Sequence, residues 1–382
     1  MATPNTTVWS AYDLTVGVIV DMDEAIYMTS AQDSPMITGV DSDGLSVLGT
    51  RPTRNKKFDF MHDALLTPRS TLAANIATTA ATEIVVASGH QSRFSTGDLL
   101  YFSDTRKEVM RVTGYSATTA DTLLVTRSYG TVAAGTHATS DNVIMVGTGL
   151  PEGNDPENSR MVDRSEYFNY TQIYGPTEIR MSRTEQIIAK YGVSNEFAYQ
   201  MAKAVTQNVI SREQSILYGE RTDSTTTEIR SSGGLGYWIT TNNDATSTGI
   251  TETTVQSNQA TIYDAGGMAD RLISGPLRLT DLDALTDTGR VRVEMTDSRR
   301  GRVPVTIVIT EYGDVTIVRN RWCLNTDAFL INRENVTRRV MTPLQAERLA
   351  KTGDSDKMML VAEEGLEVKG QDHMAKFTAL TG

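Results

Sequence analysis

The strongest helical period in this chain falls between residues 194 and 218, where Phe197, Met201, Val205 and Val209 recur at four-residue steps and Ile216 and Leu217 follow. That spacing predicts an amphipathic helix with the stripe as its buried face. Ser194 is placed to cap it, Glu196 suits its first turn, and Gly219 suits its C-terminal stop. A helix over 195–218 extends about 36 Å at about 1.5 Å per residue. It is a long strut in a chain with few other helical signals, and 382 residues leave room for two or three domains around it.

Residues 75–150 have another texture, rich in Thr, Ser, Ala and Gly, with short β-type runs at Glu83–Ala87, Leu99–Phe102, Val109–Thr113, Thr122–Thr126 and Val143–Val146. Turn formers separate the runs: Ser88-Gly89, Thr96-Gly97-Asp98, Thr113-Gly114, Tyr129-Gly130 and Ser140-Asp141-Asn142. The pattern predicts a compact all-β module, a small barrel or sandwich. Pro151–Pro156 resembles a linker and Tyr167–Ile173 resumes extended structure, so the module reads as an insertion. Beyond the helix, Thr222–Ser232 and Thr240–Gln259 read as polar surface loops around an apolar plug, Gly233–Ile239. Val303–Thr310, Tyr312-Gly313-Asp314 and Val315–Val318 predict a hairpin. The last block predicts a short helix at Pro343–Ala350, a turn at Thr352-Gly353-Asp354, and strands at Met358–Ala362 and Leu366–Val368.

Charge is unevenly spread. Residues 1–50 hold seven acidic residues (Asp13, Asp21, Asp23, Glu24, Asp33, Asp41, Asp43) and no basic one, so they carry seven of the eleven net negative charges. This segment has no sustained period and reads as an arm that must dock to be ordered. Net charge of −11 argues against a protein whose main task is wrapping nucleic acid. The absence of a basic residue before Arg51, together with apolar runs of only about five residues, predicts neither a signal peptide nor a bilayer span, and hence a soluble chain made in a cytoplasm.

No catalytic constellation stands out. His62, His90, His137 and His373 are scattered, and no HExxH, P-loop, GxSxG or GxGxxG occurs. The lone cysteine, Cys323, lies in an apolar stretch beside Trp322 and reads as a small buried hydrophobe. Glu363 and Glu364 alternate across a strand and cannot easily share a substrate, so they read as solvated charge. Asp354-Ser355-Asp356 lacks the later ligands of a calcium loop. No cofactor, metal or enzymatic activity is expected. Two basic clusters remain: Arg51, Arg54, Lys56 and Lys57 beside Phe58, and Arg290, Arg292, Arg299, Arg300 and Arg302, continued by Arg319, Arg321, Arg338 and Arg339. Interleaved acids and the lack of stacking aromatics make nucleic acid a poor fit for the second cluster, and subunit-to-subunit ion pairing, with Asp21, Asp23 and Glu24 of a neighbour's arm, the better one.

Several short words occur together: Asn169-Tyr170-Thr171-Gln172-Ile173; Tyr191-Gly192-Val193 with Glu196-Phe197-Ala198-Tyr199-Gln200; Gly233-Gly234-Leu235; Tyr312-Gly313-Asp314-Val315 leading to Asn320-Arg321-Trp322; and Leu349-Ala350-Lys351-Thr352-Gly353-Asp354-Ser355-Asp356-Lys357. From about residue 35 to the C-terminus they resemble the SU10-like branch of the tailed-phage major capsid proteins, which have the HK97 fold. The resemblance implies an α+β chain with an N-terminal arm (1–50), an E-loop (51–75 and 157–181) and a β-rich insertion domain (76–156). It further implies a peripheral domain (182–262) with a spine helix at 195–218, an axial domain (263–335) and a returning peripheral sheet (336–382). The implied function is self-assembly into pentamers and hexamers of an icosahedral shell around double-stranded DNA, with portal, scaffolding and decoration proteins as partners, weak contact with the genome, and no membrane. The implied location is the virion, assembled in the host cytoplasm. Lys56 and Lys57 lie in the implied E-loop, but no carboxylate pattern marks them for isopeptide crosslinking. The competing expectation is a virion decoration or fibre protein that binds through the β-rich module.

Overall fold

The computed structural model describes residues 33–39, 47–63, 67–153, 164–188, 190, 193, 195–224, 227–245, 249–278, 281, 291–292, 307–351 and 353–381. The chain forms two compact units, one of residues 1–60 with 167–382 and one of residues 61–166. It is mixed α and β with strands predominating, and no helix among the described residues is long and apolar enough to cross a membrane.

In the 61–166 unit, six strands pair antiparallel in the order Arg69–Thr71, Asn142–Thr148, Asp98–Phe102, Val109–Tyr115, Thr122–Thr126, Glu83–Val85. The two outer strands then meet: the amide of Ala73 donates to Val85 O and that of Ala87 to Thr71 O, both at 2.9 Å, around a Leu72–Val86 bridge. The sheet therefore closes into a barrel, which leaves no open edge. Side chains alternate along each strand, as a period of two requires, and Phe94, Leu100, Phe102, Met110, Val112, Leu123, Val125 and Val143 fill the interior with Leu72, Ile76, Ile84 and Val86. Arg69–Thr71, expected in the loop ahead of the module, belongs to the barrel because Leu72 and Ile76 just after it are core residues.

The larger unit is built on two sheets. In the seven-stranded one, Arg271–Ser274 lies parallel to Gly313–Arg319 and antiparallel to Ala328–Ile331. Both faces are covered, since along Ala328–Ile331 alternate residues enter two separate cores: Phe329 and Ile331 one, Ala328 and Leu330 the other. The predicted hairpin is present as Ile307–Thr310 with Gly313–Arg319, closed where Thr310 faces Gly313. The four-stranded sheet runs in the order Gly49–Pro52, Val336–Arg348, Ser355–Val368, Gln172–Ser182. Gln172–Ser182, expected within the E-loop, is an edge strand here, anchored by buried Tyr174 and Met181. The long helix, Glu196–Tyr218, packs on that strand and is capped by Asn195, whose side chain accepts from the amide of Ala198 at 3.1 Å; Ser194, the expected cap, lies outside the described residues.

Three expectations fail for physical reasons. Pro343–Ala350 is not helical: its first six residues lie in the 13-residue strand Val336–Arg348, and the register slips between Thr342 and Gln345, where Pro343 offers no N–H to the ladder. Within the supposed polar loop 240–259 a helix begins, Glu252–Asp264, started by a Thr251/Thr254 capping box and buried through Val255, Asn258, Gln259 and Ile262. In the long helix the buried residues are Ala204, Asn208, Arg212, Glu213, Ile216 and Leu217, whereas Phe197, Met201, Val205 and Val209 are only half-buried. The inward face is polar because it meets a sheet that presents carbonyls and carboxylates.

Candidate functional site

Two of the words that carry the family resemblance, Asn169–Ile173 and Gly233-Gly234-Leu235, meet at one junction in the larger unit, between the C-terminal half of the long helix and the four-stranded sheet. Asn169 is its centre. Its side-chain NH2 donates to Leu366 O (2.6 Å), Ser232 Oγ (3.1 Å) and Gly233 O (3.1 Å), and its Oδ1 accepts from the amides of Tyr170 (2.9 Å) and Gly233 (3.0 Å). One buried amide thus satisfies both of its ends on its own strand and on two segments distant in sequence. Gly234 follows because the helix end comes too near for a side chain: a Cβ there would lie 2.6 Å from Ser215 O and 2.7 Å from Gly219 N. The Gly233–Gly236 stretch is a tight-packing turn that seats Leu235, Trp238 and Ile239 in the core.

Beside it lies a buried ionic cluster. Arg212 grips Glu364 with two hydrogen bonds, Nε to Oε1 at 2.7 Å and Nη2 to Oε2 at 2.5 Å, and Arg338 Nη2 adds a third to Oε2 at 2.7 Å. Burial works to raise the Glu364 pKa, but the two guanidiniums outweigh it and hold the carboxyl below its usual range. On the opposite strand face Glu363 accepts from Arg230 (2.5 Å) and from the Thr171 hydroxyl (2.6 Å). The two glutamates do face opposite ways, yet neither is solvated charge: Glu364 is buried and Glu363 is paired. Their partners lie on other elements, and local sequence carries no sign of them.

The helix also holds the chain's first described segment. Glu213 Oε1 accepts from the amide of Met36 (2.8 Å) and from Asn320 Nδ2 (2.7 Å). Burial pushes this carboxyl up to about 7 against the opposing pull of those bonds. Trp322 Nε1 donates to Asp33 O at 2.7 Å, Arg321 pairs with the Asp33 carboxylate at 3.0 Å, and Arg338 Nη1 reaches Ile37 O at 3.4 Å. The Asn320-Arg321-Trp322 word therefore forms a dock for residues 33–39. Cys323 next to it is buried, and its thiol is pushed up to about 11 by that burial.

The expected assembly residues divide. Arg51, Arg54 and Lys56 are exposed, and Lys57 is half-buried, paired with Asp59 at 2.9 Å and lying 4.3 Å from the Phe168 ring centre. Phe58 is not a surface contact: it is buried in the core against Gly365, where a Cβ would come 2.8 Å from its ring. Among the continuing arginines, Arg321, Arg338 and Arg339 are engaged within the chain, with Asp33, Glu364 and Glu367 respectively. Arg292 falls in the edge strand Val291–Arg292. Asp21, Asp23, Glu24, Arg290, Arg299, Arg300 and Arg302 lie outside the described residues.

The barrel contains a second polar cluster that local sequence did not reveal. Glu108 is fully buried and meets Arg127 through two bonds, Nε to Oε1 at 2.9 Å and Nη2 to Oε2 at 2.7 Å. Burial opposes its ionisation, but Arg127, His137 and the amides of Gly135 and Ser128 pull its carboxyl down to about 2.

Among the described residues no catalytic geometry accompanies the junction; its main polar groups are paired with one another, which makes it a structural clamp. Comparison with known proteins agrees in kind. No curated protein matches the chain in sequence. Among solved structures, one from Mycobacterium phage Adephagia is similar at a TM-score of 0.51 and 11% identity, over 98% of this chain and 99% of that one. The capsid of Myoviridae phage XM1 is similar at a TM-score of 0.50 and 10% identity, over 98% of this chain and 100% of that one. At such identities the likeness is one of fold, extending over nearly the full length of each chain. A model of the SU10 major capsid protein matches residues 2–381. The chain belongs to the SU10 major capsid protein family.

Proposed function

We propose that copies of this phage major capsid protein assemble as pentamers and hexamers into an icosahedral HK97-type shell around double-stranded DNA. The observation that carries this reading is the family match, which leaves one residue unmatched at each end of the chain. In this reading residues 1–50 are an arm, the E-loop is the part of 51–75 and 157–181 that lies outside the barrel and the four-stranded sheet, and the insertion domain of 76–156 also takes in Arg69–Thr71. The 195–218 helix is the spine of a peripheral domain formed by 182–262 and 336–382, and 263–335 is the axial domain. Three features support it. The half-exposed stripe Phe197, Met201, Val205 and Val209 leaves apolar surface that a neighbouring copy would cover. The exposed cations Arg51, Arg54 and Lys56 stand at and just beyond the edge strand Gly49–Pro52, open to a neighbouring copy. A net charge of −11 keeps contact with packaged DNA weak and independent of sequence.

Assembly takes place in the host cytoplasm, with portal, scaffolding and decoration proteins as the other virion partners. Expression of the chain alone and with neighbouring virion proteins, followed by negative-stain electron microscopy, tests the proposal. Closed shells or rings of five and six are expected; monomers or trimers under every condition would contradict it.

A further inference from the structure

The buried cluster in the barrel sets one histidine between two carboxylates. Glu108 receives four donors besides histidine: Arg127 Nε and Nη2, and the amides of Ser128 and Gly135, the last two at 3.0 Å. Ringed in this way it acts only as an acceptor, so His137 Nε2, 2.9 Å from Oε2, carries a proton and donates. The other ring nitrogen, Nδ1, points at Asp104 Oδ2, 2.8 Å away. Asp104 is itself fixed, because its Oδ1 accepts from the amides of Arg106 and Lys107 at 3.1 Å. A cation shared by Nδ1 and Oδ2, either a second ring proton or a metal ion, satisfies this approach.

The Asp141 carboxylate completes the set. One atom each from Asp104, His137 and Asp141 lies within 4.8 Å of the others. Asp141 is positioned by the amide of Ala138, which donates to Oδ2 at 2.7 Å. We propose that Asp104, His137 and Asp141 bind a divalent transition-metal ion, joining the turn after strand Asp98–Phe102 to the turn before its neighbour Asn142–Thr148.

The donor set selects the metal class. One imidazole nitrogen with two carboxylates suits zinc, manganese or iron(II), whereas calcium and magnesium prefer oxygen throughout. Glu108 plays the part of the carboxylate that commonly orients a metal-binding histidine by holding its other nitrogen. The His137 ring is further held against Phe102, with ring centres 4.4 Å apart. Three protein ligands leave further coordination positions for water.

The test uses the full chain, stripped with a chelator and titrated with zinc chloride by calorimetry, with thermal unfolding measured in parallel. One zinc per chain and a higher Tm for the barrel are expected. Asp141→Asn keeps the bond from Ala138 but loses the anionic ligand. Asp104→Asn keeps the bonds from Arg106 and Lys107 and turns an NH2 toward Nδ1. Each should weaken zinc binding by at least about ten-fold, while the metal-free variants melt close to the metal-free parent, which separates loss of the site from loss of the fold. Absence of saturable zinc uptake would overturn the proposal, as would variants that bind zinc as tightly as the parent, since the ion would then sit elsewhere.

Discussion

Glu213 is a buried carboxyl whose pKa of about 7 in the fold stands above its ordinary 4.5. The folded chain therefore keeps a proton that the unfolded chain releases between these two values. The stability this contributes is complete below about pH 4.5 and lost as the pH rises through about 7, a swing of roughly 3 kcal/mol. Glu213→Gln keeps an oxygen for the Met36 amide and for Asn320 and has nothing to titrate. Chemical denaturation should show the variant gaining on the parent by that amount between pH 4.5 and pH 8; a difference independent of pH would refute the assignment. Glu364 is the opposite case, held ionised by Arg212 and Arg338. Glu364→Gln leaves two guanidiniums buried without their counter-charge and should cost about 3–5 kcal/mol at neutral pH, read from the denaturation midpoint. Neither residue's role was legible locally: Glu364 stands 152 positions from Arg212, and Glu213 stands 177 from Met36. A carboxylate beside another on a strand looks the same in sequence whether solvated or clamped. Phe58 was misread similarly, because its basic neighbours suggested a surface while the absence of a side chain at Gly365 makes room for its ring.

At the scale of elements, legibility followed the strength of the local pattern. All five β-type runs of residues 75–150 are strands, since each alternates its side chains and ends in a turn former, and only the extra strand Arg69–Thr71 and the closure around Leu72 and Val86 needed the fold. The Glu252–Asp264 helix was hidden because Asn258 and Gln259 occupy positions where an apolar period would be sought. The short helix expected at Pro343–Ala350 gives way to a long hairpin, which tolerates Pro343 at a register slip. The barrel makes a direct prediction. Phe102 is fully buried among Phe94, Leu100 and Val143, and Phe102→Ala should destabilise the barrel by about 3–5 kcal/mol through lost burial and the cavity left behind. Thermal unfolding monitored by amide exchange should show the loss in residues 67–153; an unchanged profile would mean that the core has been misplaced.

For the whole molecule, the long helix reconciles two demands. Its inner face spends Asn208, Arg212 and Glu213 on polar contacts within the chain that fix one geometry of the body, and its apolar stripe remains only half-buried on a single chain. Periodicity alone assigned that stripe to the chain's own core, because sequence cannot distinguish a face buried by the same chain from one buried by a neighbour. Val205→Asp separates the two. The account expects a folded subunit with near-parental circular dichroism and Tm that fails to form shells, whereas an unfolded variant would return the stripe to the core. The central claim is tested most directly by cryo-electron microscopy of particles assembled from this chain. The account predicts closed shells of five- and six-membered rings, with Phe197, Met201, Val205 and Val209 covered by an adjacent subunit. Particles without such rings, or rings in which the stripe faces solvent in every copy, would contradict it.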